Sequence, residues 1–276
     1  MRLIPSLVAV LAVASLVMAD EAQRPAVQRT IAVQVGSGAE ARDGLLESLL
    51  PAVDRRDGAA TERGLLSSLR DRPWLRLVTG QGEVAIAVSR CSRYQSSQSR
   101  SKDRKRVTIT FRYVVAAAIA TADDRETLEA EVTSSHSYAE GSSRMLPSAS
   151  EDRSAFERAG KELGSKARTW ILPRVATLRP DGPNAGFHHK TKLKWLIRGD
   201  GLEVIEVSPG GPAEQAGLRV GDRIRRIDGE DGTTEMDERV HTWPLEDPGT
   251  RVRLEIERDR ARREIELTLA APRGRR

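Results

Sequence analysis

The chain has 276 residues and a formal net charge of +5, with 38% hydrophobic and 31% charged residues, a length that suits about two ordinary domains. Aromatics make up only 4%, so the cores are expected to be aliphatic, and the modest basic excess permits contact with anionic surfaces without demanding nucleic acid. The only cysteine, Cys91, excludes an intrachain disulfide and any metal site of the cysteine-cluster type.

Residues 1–19 read as a leader. Arg2 supplies a basic start, Leu3 to Met18 is apolar, and Val17-Met18-Ala19 offers small residues at a cleavage position. The run is shorter than the ~20 residues needed to span a bilayer. A cleaved secretory signal peptide is therefore expected, with an uncleaved anchor as the alternative. A periplasmic or secreted location follows, with no transmembrane segment after signal cleavage.

"RTIAVQV" (29–35) predicts a strand with Ile31, Val33 and Val35 on one face. Two helices are predicted next, "ARDGLLESLLPAV" closed by Pro51 and "ATERGLLSSLRD" closed by Pro73. "WLRLVTG" and "EVAIAVSRC" predict strands. A polar, basic stretch, "SRYQSSQSRSKDRKR", then separates them from "VTITFRYVVAAAIAT". There Val107, Ile109, Phe111, Tyr113, Val115, Ala117 and Ile119 recur at every second residue, the strongest strand signal in the chain. "TLEAEVTSS" alternates Leu128, Ala130 and Val132 with acids, and "SYAEGSSRMLPSAS" reads as loop. The helix "EDRSAFERAGKELGSKARTWILPRV" carries Phe156, Ala159, Leu163, Ala167 and Trp170 as one apolar stripe, with Ser148 or Ser150 as its cap. Residues 26–176 thus read as an α+β domain: strand, helices, antiparallel meander, helix. Their order is similar to that of small α+β domains in envelope proteins. Residues 177–185, within the Pro- and Gly-rich "ATLRPDGPNAG", read as a linker to a second, separately folding domain.

In the C-terminal third, "GLEVIEV" predicts a strand turned by Pro209, Gly210 and Gly211. "PAEQAGL" predicts about two helical turns opened by Pro212 and stopped at Gly217. "RIRRIDG" is a strand with Ile224 and Ile227 buried. "TTEMDERVHTW" is a helix, and "TRVRLEIERD" and "REIELTLA" close the domain as strands. The segments "SPGGPAEQAGLRVGDRIRRIDG" and "PGTRVRLEIERD" resemble the PDZ family, specifically its bacterial extracytoplasmic kind, over residues 186–272. The resemblance implies a PDZ-like partly open β-barrel with two helices. The fold class expected for the whole chain is therefore α+β.

The resemblance also implies a function. Such domains bind an extended peptide, often a protein C-terminus, by adding it as a strand between a strand and a helix. The loop "NAGF" would place Gly186 and Phe187 at the terminal carboxylate. His188 and His189 would begin the strand that pairs with the peptide. Met236 and Val240 would face its last side chain. Use of the same fold for packing alone is the alternative.

No enzyme activity is expected. The chain has no Ser-centred Gly-rich loop with a preceding His, and no H-E-x-x-H. No cofactor and no metal site is expected. His188 and His189 are adjacent on a strand, point to opposite faces and make a poor shared site. The basic stretch Arg90–Arg106 is either a solvated hairpin tip or a finger for an anionic envelope surface. With Tyr94 as its only stacking aromatic, nucleic acid is not an expected partner. The function expected is a non-catalytic peptide-binding adaptor. The alternatives are a component of an envelope or type II-like secretion system and an accessory subunit of an extracytoplasmic protease.

Overall fold

The computed structural model describes residues 30–37, 55–79, 82–103, 105–143, 145–191 and 201–271. The leader at 1–19 and the predicted helix at 41–53 lie outside the described residues. No helix among the described residues is long and apolar enough to cross a membrane.

The first unit is one five-stranded sheet with two helices on one face. Strand β1 (Ile31–Ser37) is followed by helix α1 (Arg55–Arg70), β2 (Leu75–Val78), β3 (Val84–Arg100), β4 (Arg106–Ala120), β5 (Arg125–Ala139) and helix α2 (Ala149–Ile171). The strand order is β2-β1-β3-β4-β5. β1 runs parallel to both β2 and β3, whereas β3, β4 and β5 form the expected antiparallel meander.

Alternation decides the core. Every apolar residue of the seven-member β4 series, Val107 to Ile119, is buried in one cluster with Ile31, Val33, Ile86 and the helices. The predicted stripe of α2 lies in that cluster too. Fully burying a side chain such as Leu163 or Phe156 contributes about 1.5–3 kcal/mol. The other face of β4 holds Ala116 and Ala118, both buried. The Arg90–Glu129 pair flanks Ala116 in the strand register, and its long side chains screen that small residue from water.

α2 begins at a capping box. Ser148 Oγ accepts from the Glu151 N–H, and the Glu151 carboxylate accepts from the Ser148 N–H at 2.7 Å. The two helices meet backbone to backbone. A Cβ on Gly160 would stand 2.0 Å from the Thr61 carbonyl oxygen, and one on Gly64 would stand 2.0 Å from that of Glu157. These glycines permit the close crossing.

Two loop expectations are corrected. β3 continues to Arg100, so the basic stretch is mostly strand with a short tip, and β5 continues to Ala139 into the expected loop. Their polar residues find ladder partners in β4, including Thr108–Ser137 and Thr110–Ser135 hydroxyl bonds of 2.8 Å. In the basic stretch, Arg90 pairs with Glu129, Arg93 with Asp152 and Arg100 with Glu140. The protein's own acids occupy these arginines.

After α2 the chain passes through a 3-10 turn (Leu172–Arg174) and a short helix α3 (Val175–Leu178). Arg179 then bonds the Glu83 carboxylate and, at 2.8 Å, the Thr30 carbonyl. The second unit is β6 (Phe187–Thr191), β7 (Leu202–Val207), helix α4 (Pro212–Gln215), β8 (Arg223–Ile227), helix α5 (Thr233–Thr242), a 3-10 turn (Trp243–Leu245), β9 (Arg251–Arg258) and β10 (Ala261–Thr268). Its sheet is open, in the order β10-β9-β8-β7-β6, and a single bridge from Asn184 to Ala270 draws the two ends together. This is the partly open, two-helix arrangement that the resemblance implies. α4 is one turn rather than two, because Gly217 already sits at φ +81° and ends the helical path.

Candidate functional site

β6 is an edge strand. It pairs with β7 on one side, and no strand pairs with its other side among the described residues. The chain enters it through a loop held on two hydrogen bonds. The Ala185 carbonyl accepts from the Ala213 N–H at 2.9 Å, and the Gly186 carbonyl accepts from the Ser208 N–H at 2.8 Å. Gly186 has φ +70°, and a Cβ there would stand 3.0 Å from the Pro212 ring. The left-handed φ favours glycine at this position, and the tight approach to Pro212 adds to that preference. The quoted turn "SPGGP" thus fixes where the edge strand begins.

Helix α5 presents four different sides. Met236 is fully buried and Val240 partly buried on the core of the second sheet. Glu238 faces the first unit, accepting from the Trp74 indole N–H and, at 3.1 Å, from Arg72. Arg239 pairs with Glu246 beyond the helix. Asp237 and His241, one turn apart, face β6. His189 Nε2 lies 2.8 Å from Asp237 Oδ1, and His241 Nε2 lies 3.8 Å from the same oxygen. The two imidazole rings are 5.5 Å apart between centroids.

The electrostatics of this cluster have clear causes. Burial pushes the Asp237 carboxyl up, but the His189 hydrogen bond and the two imidazoles outweigh it and hold Asp237 below the usual carboxylate range. Burial lowers His241 below its ordinary value, Asp237 opposes that shift, and His189 adds to it.

The six residues expected to form a peptide site are placed as follows. Gly186 forms the loop. Phe187 is almost wholly buried and packs edge-on against Trp243 at 5.8 Å. His188 is exposed, and His189 points the other way, to the helix, as strand alternation requires. Met236 belongs to the core. Val240 alone of the two helix residues keeps partial access.

Sequence reading did not find Asp237 and His241, which the structure brings to His189. Their i,i+4 spacing was visible, but the partner strand lies 48 residues earlier. A second unforeseen residue is Asp222, buried to 1% exposure and bonded to Arg258 at 2.6 and 2.7 Å. It clamps the "VGD" turn to β9.

The family model described as a PDZ domain matches residues 203–258. None of the curated proteins compared matches the chain. Among solved structures, the HtrA3 PDZ domain bound to a phage-derived ligand (FGRWV) is 25% identical over 32% of this chain and 84% of its own, with a TM-score of 0.26. A serine endoprotease from Yersinia pestis is 23% identical over 39% of this chain, with a TM-score of 0.27, and the match spans only 36% of that protein. The PDZ domain of EpsC from Vibrio cholerae is 15% identical over 39% of this chain and 96% of its own, with a TM-score of 0.26. The family match at 203–258 runs from β7 to β9 and includes α5.

Proposed function

We propose that the chain is an extracytoplasmic, non-catalytic adaptor that binds extended peptides, C-termini in particular, along the free edge of β6. The observation that carries this reading is that edge strand, opened by a left-handed Gly186 just ahead of the PDZ-family match at 203–258 and flanked by α5, which lies inside that match. An unpaired strand edge offers a row of backbone donors and acceptors to an incoming chain. A terminal carboxylate would sit at the loop near Gly186 and Phe187. The last peptide side chain would lie near Val240, and an earlier one near His189 and His241. The apolar run Leu3–Met18 ahead of Ala19 supports export.

Burial of one aliphatic side chain contributes about 1.5–3 kcal/mol, and immobilisation opposes it, so affinities on the order of micromolar to tens of micromolar are expected. The test is NMR shift mapping with a library of peptides carrying free or amidated C-termini. Shifts should cluster at residues 186–189 and along α5, and amidation should weaken binding. Val240→Asp should abolish binding while the fold is kept. Shifts elsewhere, or indifference to both changes, would rule the groove out as the working site.

A further inference from the structure

His189, Asp237 and His241 are the only group of three metal-ligating side chains that converges among the described residues, with their donor atoms all within 4.8 Å of one another. We propose that they form a binding site for a divalent transition-metal ion, with Zn²⁺ the best match, that ties the edge strand β6 to helix α5.

The geometry fits the chemistry. Zinc holds histidine nitrogens and carboxylate oxygens at about 2.0–2.2 Å in a tetrahedron, which puts neighbouring donor atoms about 3.3 Å apart. The observed separations from Asp237 Oδ1 to the two Nε2 atoms, 2.8 and 3.8 Å, straddle that value. Asp237 and His241 stand at i and i+4 on one helix face, so two ligands come from a single rigid turn. His189 comes from a strand, and its side chain is only 8% exposed. The donor set of two imidazoles and one carboxylate suits zinc better than calcium or magnesium, which prefer all-oxygen shells. Three protein ligands leave a fourth position for water or for a donor carried by a bound molecule. The cluster lies at the β6–α5 junction, so an occupied site would cross-link the two walls of the groove and oppose their separation.

The proposal does not rest on the peptide-binding reading and is tested without a peptide. Tag-free full-length protein is stripped with a chelator and dialysed against ZnCl₂ alone, and separately against CoCl₂ for its visible spectrum. A single ion per chain is expected, with the intense visible bands of four-coordinate Co²⁺. His241→Ala and Asp237→Asn should each weaken zinc binding by about 100-fold or more, since even supporting residues cost 10–100-fold. His188→Ala, next to the cluster but on the opposite strand face, should bind as the parent does. Circular dichroism checks each fold. The His241 side chain is 31% exposed, so its truncation spares the core and decides the matter if Asp237→Asn unfolds. Absence of bound metal, parent-like binding by His241→Ala, or an equal loss in His188→Ala would overturn the proposal.

Discussion

Removing the Asp222 carboxylate should loosen the second sheet without touching the first. Asp222 is 1% exposed and accepts three hydrogen bonds: from Arg258 Nε at 2.6 Å, from Arg258 Nη2 at 2.7 Å and from the Arg219 N–H at 2.7 Å. Breaking a buried ion pair by deleting one partner costs about 3–5 kcal/mol. The Arg258 side chain is 14% exposed and still donates to the Gly217 carbonyl, so its charge regains some solvent. That places Asp222→Ala near the low end, at about 3 kcal/mol. Asp222→Asn keeps one oxygen for the Arg219 N–H and Arg258 Nη2 but loses the charge and turns its NH2 toward Arg258 Nε, for about 1–3 kcal/mol. Native-state hydrogen exchange read by mass spectrometry on the full chain separates the two sheets. Peptides from β8 and β9 should exchange on the order of 100-fold faster in Asp222→Ala, since each 1.4 kcal/mol is tenfold. Peptides from β3 and β4 should be unchanged. An alanine variant with less than a tenfold change, or an asparagine variant more damaged than the alanine one, would refute the reasoning.

The same measurement checks three further expectations. Gly160→Ala forces a Cβ to 2.0 Å from the Thr61 carbonyl, so α1 and α2 must move apart; a loss of about 1–3 kcal/mol or more is expected in the first unit, against a gain of propensity for an ordinary helix glycine. Ser148→Ala removes the capping box and should cost about 1 kcal/mol, seen as faster exchange in the first turn of α2. Metal-free protein should lose protection in β6 and α5 on acidification. The unfolded chain protonates its histidine near pH 6.5 while folded His241, lowered by burial, resists, so stability begins to fall as pH drops below about 6.5. Asp237, held low despite burial by His189 and His241, adds a loss in the same direction at lower pH, as pH falls through its folded value. His241→Gln should flatten the upper part of that profile, and an unchanged profile in that variant would show that another group governs it.

Local chemistry made much of this protein legible from its residues. The period-two run from Val107 to Ile119 and the α2 stripe depend on neighbours a few positions away and stand as read, and the cap, read as Ser148 or Ser150, falls on Ser148. The turn-rich run from Ser208 to Gly229 was equally readable, since positive-φ glycines at 210, 217, 221 and 229 impose a backbone path by themselves. The polar ends of β3 and β5 were missed because their stability comes from the β4 ladder, not from their own apolar pattern. The parallel pairing of β1 with β2 and β3 was likewise invisible, being a matter of which strands meet. The candidate site divided in the same way. Gly186 and the strand alternation at His188 and His189 could be read, but Met236 turned into the core while Asp237 and His241 turned to β6. Helix phase relative to a strand 48 residues away is set by packing of the whole second sheet, so only the tertiary structure could bring His189, Asp237 and His241 to one point.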